Sequence, residues 1–240
     1  MSENKTALVV SAHSADFVWR AGGAIALHAA QGWKVHIVCL SFGERGESAK
    51  LWRQPGMTMA KVKTDRRAEA EEAAGILGAS VEFLDIGDYP MRADLEVVFH
   101  LAKIYRELRP SFVLSHSLKD PYNFDHPLAT HVAQEARVVA QAHGHDPEVP
   151  VIGAPPVYLF EPHQPEQCEW KPELFLDISS VWEKKQAAFE TMRAQEHLWE
   201  YYTRVGLQRG AQATRNSDFK IKYAEAFQRV FPHVTQGTLA

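Results

Sequence analysis

Three short stretches of this 240-residue chain combine imidazole and carboxylate groups at spacings suited to holding a cation or moving a proton. The first is His13-Ser14-Ala15-Asp16 and the second is Asn123-Phe124-Asp125-His126. The third is Glu44 and Glu47, in the glycine-punctuated segment Gly43-Glu44-Arg45-Gly46-Glu47. Two His and one carboxylate with an open position make the ligand set of a catalytic zinc or a related metal. Each stretch also has an ordinary explanation. Asp16 suits a helix N-cap, Asp125-His126 a helix start, and Glu44 and Glu47 a solvated loop. Only a shared location in the fold favours chemistry over these, so the elements that carry them decide.

Thr6 to Ser11 and Val35 to Leu40 are apolar, β-branched runs of the kind that form strands buried on both faces. Shorter strands are expected at Val81–Leu84, Ser111–Ser115, Pro156–Phe160 and Leu174–Ile178. Helical patterns run from Asp16 to Gly32, Thr58 to Leu77, Ala93 to Leu108, Pro127 to Ala142 and Val181 to Glu200. Strands alternating with helices predict an α/β fold, a Rossmann-like mostly parallel sheet covered on both faces. A single domain spanning 1–240 is expected, with the last forty residues as a C-terminal helical appendage suited to a homo-oligomer interface. In such sheets ligands bind beyond the carboxyl ends of the strands. All three candidate stretches follow strands at that edge.

Composition removes other classes. Against 30 Asp+Glu stand 26 Lys+Arg, a net charge of −4, and no basic run marks a nucleic-acid or anionic-membrane surface. No apolar stretch approaches the ~20 residues a membrane span needs. Met1 to Lys5 is polar and shows no secretory leader, and two cysteines make no disulfide framework. A cytoplasmic globular protein is the expectation.

The motifs, taken in order, resemble the PIG-L/LmbE-like metal-dependent deacetylases. That family ends its first strand in Ala-His-Pro-Asp-Asp-Glu, where this chain has Ala12-His13-Ser14-Ala15-Asp16-Phe17. Gly22-Gly23, Gly43-Glu44, Arg66-x-x-Glu69 before Leu77-Gly78, and Arg109-Pro110 before a strand also fit. The family's His-Pro-Asp-His aligns with Asn123-Phe124-Asp125-His126, and Tyr223-Ala-Glu-Ala-Phe227 resembles a common family ending. The resemblance implies an LmbE-like fold with metal ligands at His13, Asp16 and His126. Zinc is the expected ion, and Fe²⁺ or Co²⁺ tolerates similar ligands.

Two departures matter. The family's general-base Asp is Ala15 here, and the His that helps polarise the acyl oxygen is Asn123. Losing a general base typically costs about 10²–10⁴-fold. The replacement is similar to that in a hydratase branch of the family, which implies water added to a C=C of a small polycarboxylate. For that chemistry Glu47, with Glu44 second, is the expected group orienting the water. His163 is the expected acid, and Arg20 and Asn123 the expected substrate contacts. Two alternatives stand beside it: a zinc-dependent N-deacetylase of an N-acetylglucosamine conjugate, and a catalytically inactive binding protein on the same fold.

Overall fold

In a computed structural model describing residues 5–234, β1 (Thr6–Ser11) forms the centre of a seven-stranded sheet. The stretch 1–4, on which the expectation about a leader rests, lies outside the described residues. Around β1 the order is β3-β2-β1-β4-β5-β7-β6, with β2 at Lys34–Cys39, β3 at Ser80–Phe83, β4 at Phe112–Ser115 and β5 at Val157–Phe160. β1 to β5 pair in parallel; β7 (Ala224–Arg229) is antiparallel to both β5 and β6 (Leu174–Asp177).

Alternation along β1 divides the core. Ala7 and Val9 pack into one apolar cluster with α1 (Asp16–Ala30), α3 (Met59–Leu77) and α6 (Trp182–Glu190). Leu8 and Val10 pack into the other with α4 (Leu95–Leu108) and α5 (Asp125–Gln141). Helix ends follow local chemistry. Thr58 caps α3 by accepting the Lys61 N–H, Asp94 caps α4 by accepting that of Val97, and Gly78 closes α3 at φ 81°. Among the described residues no helix is long and apolar enough to cross a membrane.

The structure differs from the sequence-based expectation in three places. The polar loop 41–57 contains a single helical turn, α2 (Ala49–Trp52). The helix expected over 181–200 breaks after Glu190, resumes as a 3-10 segment at Arg193–Leu198, and α7 follows at Trp199–Arg215. Tertiary bonds cause the break: Glu69 Oε1 accepts the Ala194 N–H at 2.9 Å, and Arg66 donates to Gln195 Oε1 at 2.9 Å. Among the described residues the expected C-terminal appendage is helical only through α7, because Ala224–Arg229 is a strand inside the sheet.

That last strand also reaches back to the first helix. Glu225 is buried, and its carboxylate accepts the N–H groups of Gly23 and Ala24 at 2.7 Å each and pairs with Lys185 at 2.6 Å. The approach requires glycine: a Cβ at Gly23 would lie 2.6 Å from Ile178 Cδ1 and 2.9 Å from Glu225 Oε1. Gly23→Ala is therefore expected to destabilise the protein by about 1–3 kcal/mol, the usual range for overpacking. Chemical denaturation checks it, and an unchanged midpoint would mean that the helix yields without cost.

Candidate metal centre and active-site pocket

The chain order of the sheet reverses between β1 and β4, and the candidate groups gather at the carboxyl ends of these two strands. The turn after β1 is tightly bonded. Ser11 Oγ donates to the His13 carbonyl at 2.8 Å, and the Ala12 N–H donates to His116 Nε2 at 2.9 Å. Asp16 does not cap α1; Ala15 holds that position without a side-chain bond, and the Asp16 carboxylate turns back to accept the His13 N–H at 2.9 Å.

His13 Nδ1 then lies 3.0 Å from Asp16 Oδ2 and 3.2 Å from Glu47 Oε1. His126 enters from the first turn of α5, its Nε2 3.5 Å from Asp16 Oδ1 and 3.9 Å from Glu47 Oε1. One donor atom from each of His13, Asp16, Glu47 and His126 lies within 4.8 Å of the others. The remaining nitrogen of each imidazole faces a carboxylate, His13 Nε2 to Asp125 at 3.2 Å and His126 Nδ1 to Asp120 at 2.8 Å. Carboxylates behind ligand imidazoles fix tautomer and ring orientation, leaving the inner nitrogens free to ligate.

The electrostatics fit a cation. Burial disfavours a charged His13, yet Glu47, Asp16 and Asp125 outweigh it and hold its pKa well above the usual value. Burial works against the Asp16 carboxylate too, but His126, His116 and His13 hold its pKa well below normal. Asp16, Glu47 and the inner nitrogens of His13 and His126 form a donor set that a divalent ion would satisfy.

The other sequence candidates divide. Glu47 belongs to the cluster, whereas Glu44, the second candidate for orienting the water, is fully buried outside it, its Oε2 accepting the Phe42 N–H at 3.2 Å. Asn123 accepts the Asp125 N–H through Oδ1, which turns Nδ2 toward Glu47 Oε1 (3.4 Å) and His126 Nε2 (3.1 Å). Arg20, one turn along α1, has Nε 3.5 Å from Asp16 Oδ1, and its buried guanidinium makes only a long 3.4 Å bond to the Glu161 carbonyl. His163 stacks on Tyr201 with ring centroids 4.1 Å apart; burial first, then Arg20, lowers its pKa. Asp16, Arg20, Glu47, Asn123, His126 and His163 all line one cavity of about 210 Å³.

Sequence reasoning missed His116, Asp120 and Gln195. His116 stacks on His126 at 4.4 Å, and burial followed by the nearby His126 drives its pKa well down, so it accepts the Ala12 N–H as a neutral ring. Its place directly after β4 was the available signal. Asp120 sits six residues before His126, and that short spacing was its available signal; Gln195 carries no local mark, because Arg66 is brought to it by the fold.

The site class is thus a mostly parallel α/β sheet with a His–Asp–carboxylate–His cluster at its switch point, a donor set that could hold a divalent ion. The family model described as PIG-L, GlcNAc-PI de-N-acetylase, matches residues 8–137, and the chain belongs to that family. It is 71% identical over 237 residues to the 4-oxalmesaconate hydratase of Pseudomonas putida, covering 97% of this chain and 92% of that protein. The crystal structure of the 4-carboxy-2-hydroxymuconate hydratase of the same species superposes with a TM-score of 0.95 at 70% identity, covering 98% of this chain and 99% of that one. The N,N'-diacetylchitobiose deacetylase of Pyrococcus horikoshii shares the fold, with a TM-score of 0.78 at 24% identity over 94% of this chain and 84% of that one.

Replacing the carboxylate behind His126 by an amide, Asp120→Asn, is expected to weaken metal binding by about 10–100-fold. Competition with a chelator measures it, and wild-type affinity would show that Asp120 serves only its loop.

Proposed function

We propose that this chain is a metal-dependent hydro-lyase. It adds water across the C=C of 4-oxalomesaconate (4-carboxy-2-hydroxymuconate) to give 4-carboxy-4-hydroxy-2-oxoadipate, in gallate and protocatechuate degradation. The observation that carries this reading is the 71% identity to a 4-oxalmesaconate hydratase along 97% of the chain. The residue at position 15 agrees with it: Ala15 is fully buried in an apolar cluster and offers no base to a deacetylation.

His13, Asp16 and His126 would hold the ion, zinc in this proposal. When bound, such an ion supplies Lewis acidity toward water and substrate oxygens. Glu47 accepts the proton of the attacking water, whose oxygen bonds to one alkene carbon. His163 delivers a proton to the neighbouring carbon. Arg20 holds a substrate carboxylate with its unspent guanidinium donors, and the Asn123 amide orients a substrate oxygen. A charged intermediate of ring-cleavage metabolism suits a cytoplasmic enzyme.

The test is an assay of the purified, metal-loaded protein on two substrates. Loss of the muconate absorbance with no acetate released from an N-acetylglucosamine conjugate is the expected result. Acetate release at ordinary enzyme rates would favour the deacetylase instead, and turnover of neither would favour a binding protein.

A further inference from the structure

The Arg66-x-x-Glu69 motif has no part in the chemistry above, yet both residues are buried and both bond to the turn that interrupts the expected 181–200 helix. Arg66 is fully buried and spends its guanidinium on three acceptors. Nε donates to the Phe42 carbonyl (3.3 Å), NH1 to Glu69 (2.7 Å) and NH2 to Gln195 Oε1 (2.9 Å). Glu69 in turn accepts the Ala194 N–H, and its carbonyl accepts the Thr191 hydroxyl at 3.2 Å. These bonds hold Gln195 in a non-helical conformation, φ −128° and ψ 32°, at a position that lines the active-site pocket.

The amide can point only one way. Oε1 must face Arg66, because a guanidinium only donates, and this leaves the NH₂ end as the group available to the pocket. The cation behind the oxygen also polarises the amide, so the nitrogen end is a stronger donor than that of a free glutamine. The pocket needs such donors. Asp16, Glu47 and Asp120 line it, and among the described residues Arg20 is its one lysine or arginine.

We propose that Gln195 is a specificity-determining residue whose amide hydrogens bind one carboxylate of the substrate, oriented from behind by Arg66. The inference rests on the polycarboxylate hydratase reading and assigns a recognition role to the residue that Arg66-x-x-Glu69 holds in place. It makes Gln195 a binding group with no part in proton transfer.

Two variants test it. In Gln195→Glu one carboxylate oxygen keeps the Arg66 contact, while the other replaces the pocket donor with a negative charge. Gln195→Asn keeps the amide but shortens it, so it cannot span both Arg66 and the substrate. The expected result in both is a KM for the muconate raised about 10–100-fold, the range for a hydrogen bond to a charged group, with kcat within about threefold of wild type. Calorimetric titration with tricarballylate, an unreactive tricarboxylate, should show a matching loss of affinity. Unchanged KM and tricarballylate affinity in both variants would overturn the proposal, as would a fall in kcat at constant KM. If the wild type binds tricarballylate through Gln195 but does not hydrate the muconate, the hydratase reading fails and the carboxylate site stands.

Discussion

Glu47→Gln is expected to lower kcat by about 10²–10⁴-fold while metal content stays at the wild-type level. The substitution keeps the shape and one acceptor oxygen but removes the ability to take a proton. Burial opposes the Glu47 charge, but the adjacent His13 prevails and lowers the pKa, so the group is ionised and ready to accept. Of the four clustered side chains it is the most open, 13% exposed against 3% or less for the others. Its loop is held firmly: the Ser48 hydroxyl donates to the Gly43 carbonyl at 2.8 Å, and Gly46 leaves room for the Tyr89 ring, which a Cβ there would meet at 2.3 Å. Metal analysis and steady-state kinetics on one preparation decide the matter. Loss of metal along with activity would make Glu47 a ligand, and a near-wild-type kcat would remove it from the mechanism.

His163→Gln is expected to cost about 10²-fold or more in kcat and to abolish a distinctive pH dependence. A proton donor is active below its pKa and fails as the pH rises through it. Burial and the neighbouring Arg20 place the pKa of free His163 below the ordinary 6.5, so the descending limb of kcat/KM should fall below that value. Bound carboxylates favour the imidazolium, so the descending limb of kcat should lie at higher pH. Profiles of both constants from pH 5 to 9 would reveal the separation. Coincident limbs, or limbs that survive in the variant, would assign the acid elsewhere.

Much of this architecture was legible before any coordinates. Buried strands such as Thr6–Ser11 announce themselves by unbroken apolar runs, and their alternation with capped helices implies the parallel sheet and its active edge. His13, Asp16, Glu47 and His126 were legible as a group because each lies in the connection or helix start that leaves the carboxyl end of β1, β2 or β4. Gln195 was not. The chain around Gln195 has an ordinary helical pattern, and it bends there because Arg66 and Glu69, more than a hundred residues earlier, offer better bonds than the next helical turn. The strand at Ala224–Arg229 was hidden for a related reason: its short, mixed sequence gains strand geometry from the two neighbours it lies between. Glu44 and Glu47 could not be told apart from sequence, because charge predicts exposure only on average and the loop folds inward, burying Glu44 outside the cluster.

The placement of that final strand has a consequence for how the molecule comes into being. Synthesis delivers β6 well before β7, yet β6 joins the sheet only through β7, so that edge cannot assemble until β7 has been made. Until then the edge of β5 stands unpaired, a template for wrong partners. The same late segment carries Glu225, whose carboxylate binds the helix that presents Asp16 and Arg20. Order of synthesis and function are thereby linked: the helix that bears Asp16 and Arg20 is clamped by a residue made about two hundred positions after it. A chain cut short between α7 and β7 carries every proposed metal ligand and catalytic group, but lacks the bonds from Glu225 that tie the site-bearing helix to the sheet.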